Sequence, residues 1–171
     1  MSICRLENIS KSYKMGELVE ALTDINLDVN AGDFISIEGP SGTGKSTLLY
    51  VIGTLLAPDE GKLYIDGREV SRMSNSEMTR LRGTEIGFIF QDSNLVQALT
   101  LRENLEFVQG LYSKKDSEEI GRVLEALGLS DRADFLPHQL SGGQRRRAMI
   151  ARALIHQPKL ILADEPTNDL D

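Results

Sequence analysis

Gly39-Pro40-Ser41-Gly42-Thr43-Gly44-Lys45-Ser46 puts three glycines, a lysine and a hydroxyl at a spacing suited to a polyphosphate. A triphosphate needs donors on several sides at close range. Glycines let successive backbone N–H groups turn inward with no Cβ in the way. A helix starting near Lys45 would aim its positive end at the same anion. The run matches the P-loop pattern G-x-x-x-x-G-K-[ST] in full, in which Lys45 reaches the β/γ-phosphates and Ser46 holds Mg²⁺. The plainer alternative is a glycine turn in front of an ordinary helix.

Two further runs carry chemistry. Leu160-Ile161-Leu162-Ala163-Asp164-Glu165 reads as an apolar strand delivering adjacent carboxylates, the logic of a Walker-B strand. Asp164 would bind Mg²⁺ directly or through water, and Glu165 would orient and polarise an attacking water. Many buried strands end in an acid, so the pair gains meaning from the P-loop before it. Leu140-Ser141-Gly142-Gly143-Gln144 opens a predicted helix. A hydroxyl, free amides and a helix dipole could again face an anion there, or serve only as an N-cap and loop. Neither spacing nor physics says which phosphate such a site would serve.

These residues need elements to hold them. Apolar alternation predicts strands over 3–7, 18–29, 33–38, 62–66, 86–90 and 160–163. Helices are predicted over 45–56, 75–82, 117–127 and 143–156, the last stopped before Pro158. Ile120, Val123, Leu124 and Leu127 lie at i, i+3, i+4 and i+7, an amphipathic stripe. Early strands followed by alternating strands and helices imply an α/β core with antiparallel decoration.

The 171 residues make about one domain, and 40% hydrophobic with 26% charged residues is ordinary for a globular chain. No apolar run approaches the roughly 18 residues of a membrane helix, and the N-terminus lacks a signal-peptide stretch. One cysteine cannot form an internal disulfide, which fits a reducing cytosol. Nineteen basic against 26 acidic residues give −7, which argues against wide nucleic-acid binding. Arg145-Arg146-Arg147 is therefore expected to be a solvated cluster in the first turn of its helix. Cys4 reads as a small strand residue, the scattered methionines need no cofactor, and His138 and His156 receive no catalytic role.

In order and spacing these motifs resemble the ATP-binding cassette (ABC) family across all 171 residues. The resemblance implies a P-loop ATPase core with a RecA-like sheet, an N-terminal antiparallel β subdomain and an inserted helical subdomain. It also implies one domain over 1–171, divided into 1–90 (β subdomain and P-loop core), 91–140 (helical subdomain) and 141–171 (signature helix, Walker B and D-loop). Tyr13 matches an aromatic that stacks on adenine, although a half-buried strand-end tyrosine would look the same. Gly39, Pro40, Ser41, Gly42, Thr43, Gly44, Lys45, Ser46 and Thr47 match the phosphate loop. Ser141, Gly142, Gly143 and Gln144 match a signature that binds the γ-phosphate held by the opposite subunit. Gln91 matches the Q-loop glutamine, which senses Mg²⁺ and water. The implied catalytic set is Glu165, Gln91 and Lys45, and the implied metal set is Ser46, Gln91 and Asp164. Asn168-Asp169-Leu170-Asp171 falls at the D-loop, where Thr167-Asn168-Asp169-Leu170-Asp171 departs from the commoner Thr-Gly-Asn-Leu-Asp.

Gly87 to Leu95, with Leu99-Thr100 and Glu103-Asn104, is similar to the ATPases of lipoprotein-release, macrolide-export and antimicrobial-peptide efflux systems. The family resemblance then implies ATP and Mg²⁺, a homodimer or paired ABC subunit, an integral membrane permease as partner and no nucleic acid. It places the chain in the cytoplasm, peripheral on the cytoplasmic face of the cell membrane. It also implies a further strand and a γ-phosphate histidine beyond Asp171, without which residues 1–171 are expected to be loosely folded and nearly inactive. The alternatives are a truncated, catalytically inactive nucleotide-binding fragment, or a soluble ABC ATPase outside transport. A GTPase is disfavoured because no Asn-Lys-x-Asp run occurs.

Overall fold

Cys4, Leu6 and Ile9 are all buried, although strict alternation would send Leu6 and Ile9 to opposite faces. Strand β1 (Ser2–Met15) resolves this with a bulge: its register against β2 (Glu17–Asn30) shifts between Leu6 and Ile9, and Asn8 takes a φ of 53°. The irregularity returns Ile9 to the core face. Asn8 suits the position because its amide N–H donates to Asn26 Oδ1 (2.9 Å) and its side chain to Asp24 Oδ1 (2.6 Å). β1 lies between β2 and β3 (Glu60–Ile65), antiparallel to both, and β4 (Arg68–Glu69) completes the order β2-β1-β3-β4. Gly61 faces the bulge, where a Cβ would lie 2.3 Å from the Asn8 carbonyl oxygen. Cys4 is the small strand residue expected, paired with Val29 and Ile65, and burial pushes its thiol pKa up to about 12.

The computed structural model describes residues 2–111 and 116–165. They divide into two compact units, Met1–Thr79 and Arg80–Asp171. The first holds the antiparallel sheet and helix α1 (Lys45–Ile52), with α2 (Asn75–Thr84) running across the division. α1 ends earlier than the predicted 45–56 because Gly53 caps it and Thr54 turns to a φ of 57°.

The strand expected over 33–38 does not form. Asp33-Phe34-Ile35-Ser36-Ile37-Glu38 joins neither described sheet, and Phe34, Ile35 and Ile37 are 97%, 43% and 36% exposed. A strand is held by ladder bonds to a neighbour, so alternation without an edge to pair with is not enough.

In the second unit β5 (Ile86–Ile89) and β6 (Leu160–Ala163) pair in parallel, residue for residue from Ile86↔Leu160 to Ile89↔Ala163. Helix α5 (Gly142–Leu154) packs so closely that a Cβ on Gly87 would lie 2.5 Å from the Ala153 carbonyl oxygen. The predicted stripe forms α4 (Ser117–Ala126), with Ile120 and Leu124 buried and Val123 and Leu127 packed beside them. α3 (Leu101–Gly110) was not anticipated. Its signal is the box Thr100-x-x-Glu103, in which the Glu103 amide donates to Thr100 Oγ1 (3.2 Å) and the Thr100 amide to Glu103 Oε2 (2.8 Å). Leu101, Leu105, Leu129, Leu140, Ala148 and Met149 complete this core. An antiparallel sheet in one unit and a parallel pair with helices in the other make the mixed α/β architecture the motifs called for.

His156 follows α5, and its Nε2 pairs with the Ile86 carbonyl oxygen (3.1 Å) at the start of β5. Burial holds its pKa below the ordinary 6.5, against the smaller upward pull of that carbonyl. The unfolded chain therefore binds more protons as the pH falls below 6.5, so stability is fullest above that value and declines beneath it. The urea midpoint should drop between pH 8 and pH 5, and His156→Gln should flatten the drop.

Candidate functional site

Helix α1 begins at the glycine-rich loop, not at a side-chain cap. Gly44 is its N-cap residue, in the left-handed region at φ 87°, and no side chain caps the helix or places an acid in its first turn. A Cβ on Gly44 would lie 2.2 Å from the Ala21 carbonyl oxygen on β2, so the loop approaches that strand as only glycine can. Gly39 (φ 151°) and Gly42 (φ 82°) make the other turns, with Pro40 and Ser41 exposed between them. Lys45 Nζ donates to the carbonyls of Gly39 (2.8 Å) and Pro40 (2.7 Å), and Thr43 Oγ1 donates to Pro40 (2.9 Å). These neutral partners hold the ammonium over the loop without cancelling its charge. Ser46 and Thr47 follow in the first helical turn.

Tyr13 stands on β1 of the same unit, its Oη 3.4 Å from Thr47 Oγ1. Asp59 braces the strand just before it. Lys11 Nζ donates to Asp59 Oδ1 (2.6 Å), while the Ser12 amide (2.7 Å) and hydroxyl (3.0 Å) donate to Oδ2. The Lys11 bond, then the Ser12 amide, draw this exposed carboxyl down to about 2.

The second unit brings together Gln91, Asp164 and Glu165. β5 and β6 end abreast, and the Asp164 amide extends the ladder by donating to Ile89 (2.9 Å). Gln91 Nε2 donates to Glu165 Oε2 at 2.9 Å, so residues 74 apart in sequence touch. Asp164 is buried, its Oδ2 shut off from solvent, while Glu165 is exposed and holds a left-handed φ of 48°. A non-glycine residue there costs roughly 1–3 kcal/mol and persists only where surroundings impose it.

Arg146 corrects the expectation of a solvated cluster. It is only 4% exposed. Nη1 donates to the carbonyls of Phe90 (2.8 Å) and Gln91 (3.1 Å), and Nη2 to those of Asp164 (3.3 Å) and Glu165. Arg152, further along α5, donates to the Asn94 carbonyl. A run of three arginines at a helix start carries no mark of which one turns inward. Asn104, singled out above only for its branch resemblance, is buried and ties the preceding loop through the carbonyls of Val96 (3.1 Å), Leu99 (3.0 Å) and Thr100 (2.9 Å).

Ser141 is the N-cap of α5. It accepts from the Gln144 amide (3.3 Å) while Gln144 Oε1 accepts from the Ser141 amide (2.9 Å). The plain capping role is thus present, with Gly142 and Gly143 forming the first helical turn between the two. Asn168-Asp169-Leu170-Asp171 lies outside the described residues.

Gly44→Ala tests the loop. A left-handed Ala that also meets the Ala21 carbonyl should cost about 2 kcal/mol or more, read as a lower urea midpoint, with loss of nucleotide-analogue binding.

The chain matches the ABC transporter family over residues 22–168. It is 46% identical over 170 residues to the lipoprotein-releasing system ATP-binding protein LolD of Bacteroides thetaiotaomicron, covering 98% of this chain and 77% of that protein. It is 45% identical over 174 residues to the macrolide export ATP-binding/permease protein MacB of Brucella melitensis, covering 99% of this chain and 27% of that protein. Among solved structures it resembles the dimeric cassette MJ0796, and the same cassette in a post-hydrolysis state bound to ADP and Pi. Each likeness has a TM-score of 0.92 at 42% identity and covers 98% of this chain and 76% of the other. With the family match spanning most of its length and the fold shared at that identity, the chain belongs to the ATP-binding proteins of the ABC transporter family, a family of P-loop ATPases.

Proposed function

We propose that this chain hydrolyses ATP to power a membrane transporter of the export or lipoprotein/peptide-efflux kind, working as one half of an ATP-closed dimer on the cytoplasmic face beside a permease subunit. The observation that carries the reading is the contact of Gln91 with Glu165 at the ends of paired parallel strands. It joins two motifs that mean little apart. The likeness to LolD and MacB supports the export branch, and the dimeric cassette supports pairing. Among the described residues no helix is long and apolar enough to cross a membrane.

In this reading the glycine-bounded loop and the α1 N-terminus bind the phosphates, with Lys45 as the mobile cation and Tyr13 stacked on the base. Stacking reads a ring face, so preference for ATP over GTP should be slight. Mg²⁺ takes hard oxygens, and Ser46, Gln91 and Asp164 carry such donors. Bound there, it would neutralise charge on the phosphates. Glu165 accepts the proton of the attacking water, and Gln91 orients that water beside it. Ser141, Gly142, Gly143 and Gln144 present helix N-terminal amides to the γ-phosphate of the facing subunit. Positioning and electrostatics supply most of the rate in such a transfer.

Two substitutions test the scheme. Lys45→Ala should abolish binding of a fluorescent ATP analogue in a chain that still unfolds cooperatively; retained affinity would remove the P-loop assignment. In the full-length protein, Glu165→Gln should bind ATP normally yet release phosphate about 10²–10⁴-fold more slowly. With one repelling charge gone it should also accumulate an ATP-bound dimer, visible by size-exclusion chromatography.

A further inference from the structure

We propose that Arg146 is a positioning residue for hydrolysis, a splint that fixes Gln91 and Glu165 relative to each other; the inference rests on the role given to Glu165 above. β5 and β6 stop pairing after Ile89 and Ala163, apart from the single Asp164 bond. Among the described residues no further strand pairing follows these ends. Arg146 reaches the next carbonyls with its two terminal nitrogens, one per strand: Nη1 takes Phe90 and Gln91, and Nη2 takes Asp164 and Glu165. The guanidinium is planar and rigid, so the separation of its nitrogens sets the separation of the two strand ends. It also holds the carbonyl of Glu165 while that residue sits at φ 48°, a backbone its own preferences would abandon. The side chains of Gln91 and Glu165 can meet at 2.9 Å because their backbones are pinned to one group.

Substitution separates this role from general packing. Lysine keeps the charge and most of the length but replaces a two-pronged fork by a single point, so it cannot serve both strands at once. In the full chain, Arg146→Lys should unfold cooperatively. Hydrogen exchange at the amides around Gln91 and Glu165 should rise about tenfold or more while the rest of α5 stays protected, the scale expected when charge-assisted bonds are lost. Steady-state phosphate release should show kcat down about tenfold with KM for ATP little changed, since the phosphates are held by the P-loop. In a Glu165→Gln background the same change should cost much less, because one of the two groups the splint aligns has lost its function. Unchanged exchange and kcat in a folded Arg146→Lys would overturn the proposal. So would an undiminished further loss in the Glu165→Gln background. Arg146→Gln provides a second variant, and if neither unfolds cooperatively Arg146 is a folding residue and the proposal falls. Full activity in Glu165→Gln alone would instead overturn the reading of Glu165.

Discussion

Two parallel strands that end abreast leave a row of backbone carbonyls with no ladder to join, and buried carbonyls need donors. In the second unit this need shapes much of what surrounds it. The Asp164 amide takes one more rung at Ile89, and Arg146 takes the four carbonyls beyond. For that guanidinium to arrive, α5 must lie against β5, which it does at Gly87, where a side chain would collide with the Ala153 carbonyl. Met149, Ala148 and Leu140 then face the leucines of α3 and α4. The glutamine and glutamate that face solvent are the outer edge of an arrangement set by backbone satisfaction.

The first unit obeys a related constraint by the opposite means. Its glycine-rich loop places no side-chain acceptor at the start of α1, and its path requires glycines in the left-handed region and contact with β2 too close for a Cβ. One unit uses an arginine to satisfy carbonyls, while the other starts its helix from glycines with no side-chain cap. Both suit a reaction in which the protein contributes placed charges and dipoles and little covalent chemistry of its own.

Family membership and geometry support each other here without duplicating information. The match covers residues 22–168, and within that span the fold brings Gln91 and Glu165 into contact. The net charge of −7 gives the chain no broadly basic surface.

What the sequence determined by itself was whatever depends on local spacing. The P-loop was legible because its glycines, lysine and hydroxyl act within eight residues. The α4 stripe was legible because Ile120, Val123, Leu124 and Leu127 repeat at the helical period, and β6 because its apolar run is short and bounded. The capping box at Thr100 was equally local, so α3 could have been found. The tertiary structure decided whatever depends on a neighbour distant in the chain. Alternation over 33–38 says nothing about an edge to pair with, and that segment forms no strand in either described sheet. The phase of β1 after Leu6 is set by its register with β2, not by its own pattern. Arg146 cannot be told from Arg145 or Arg147 by type or position, because its burial is set by carbonyls 55 residues before it and 19 after it that only the fold brings together.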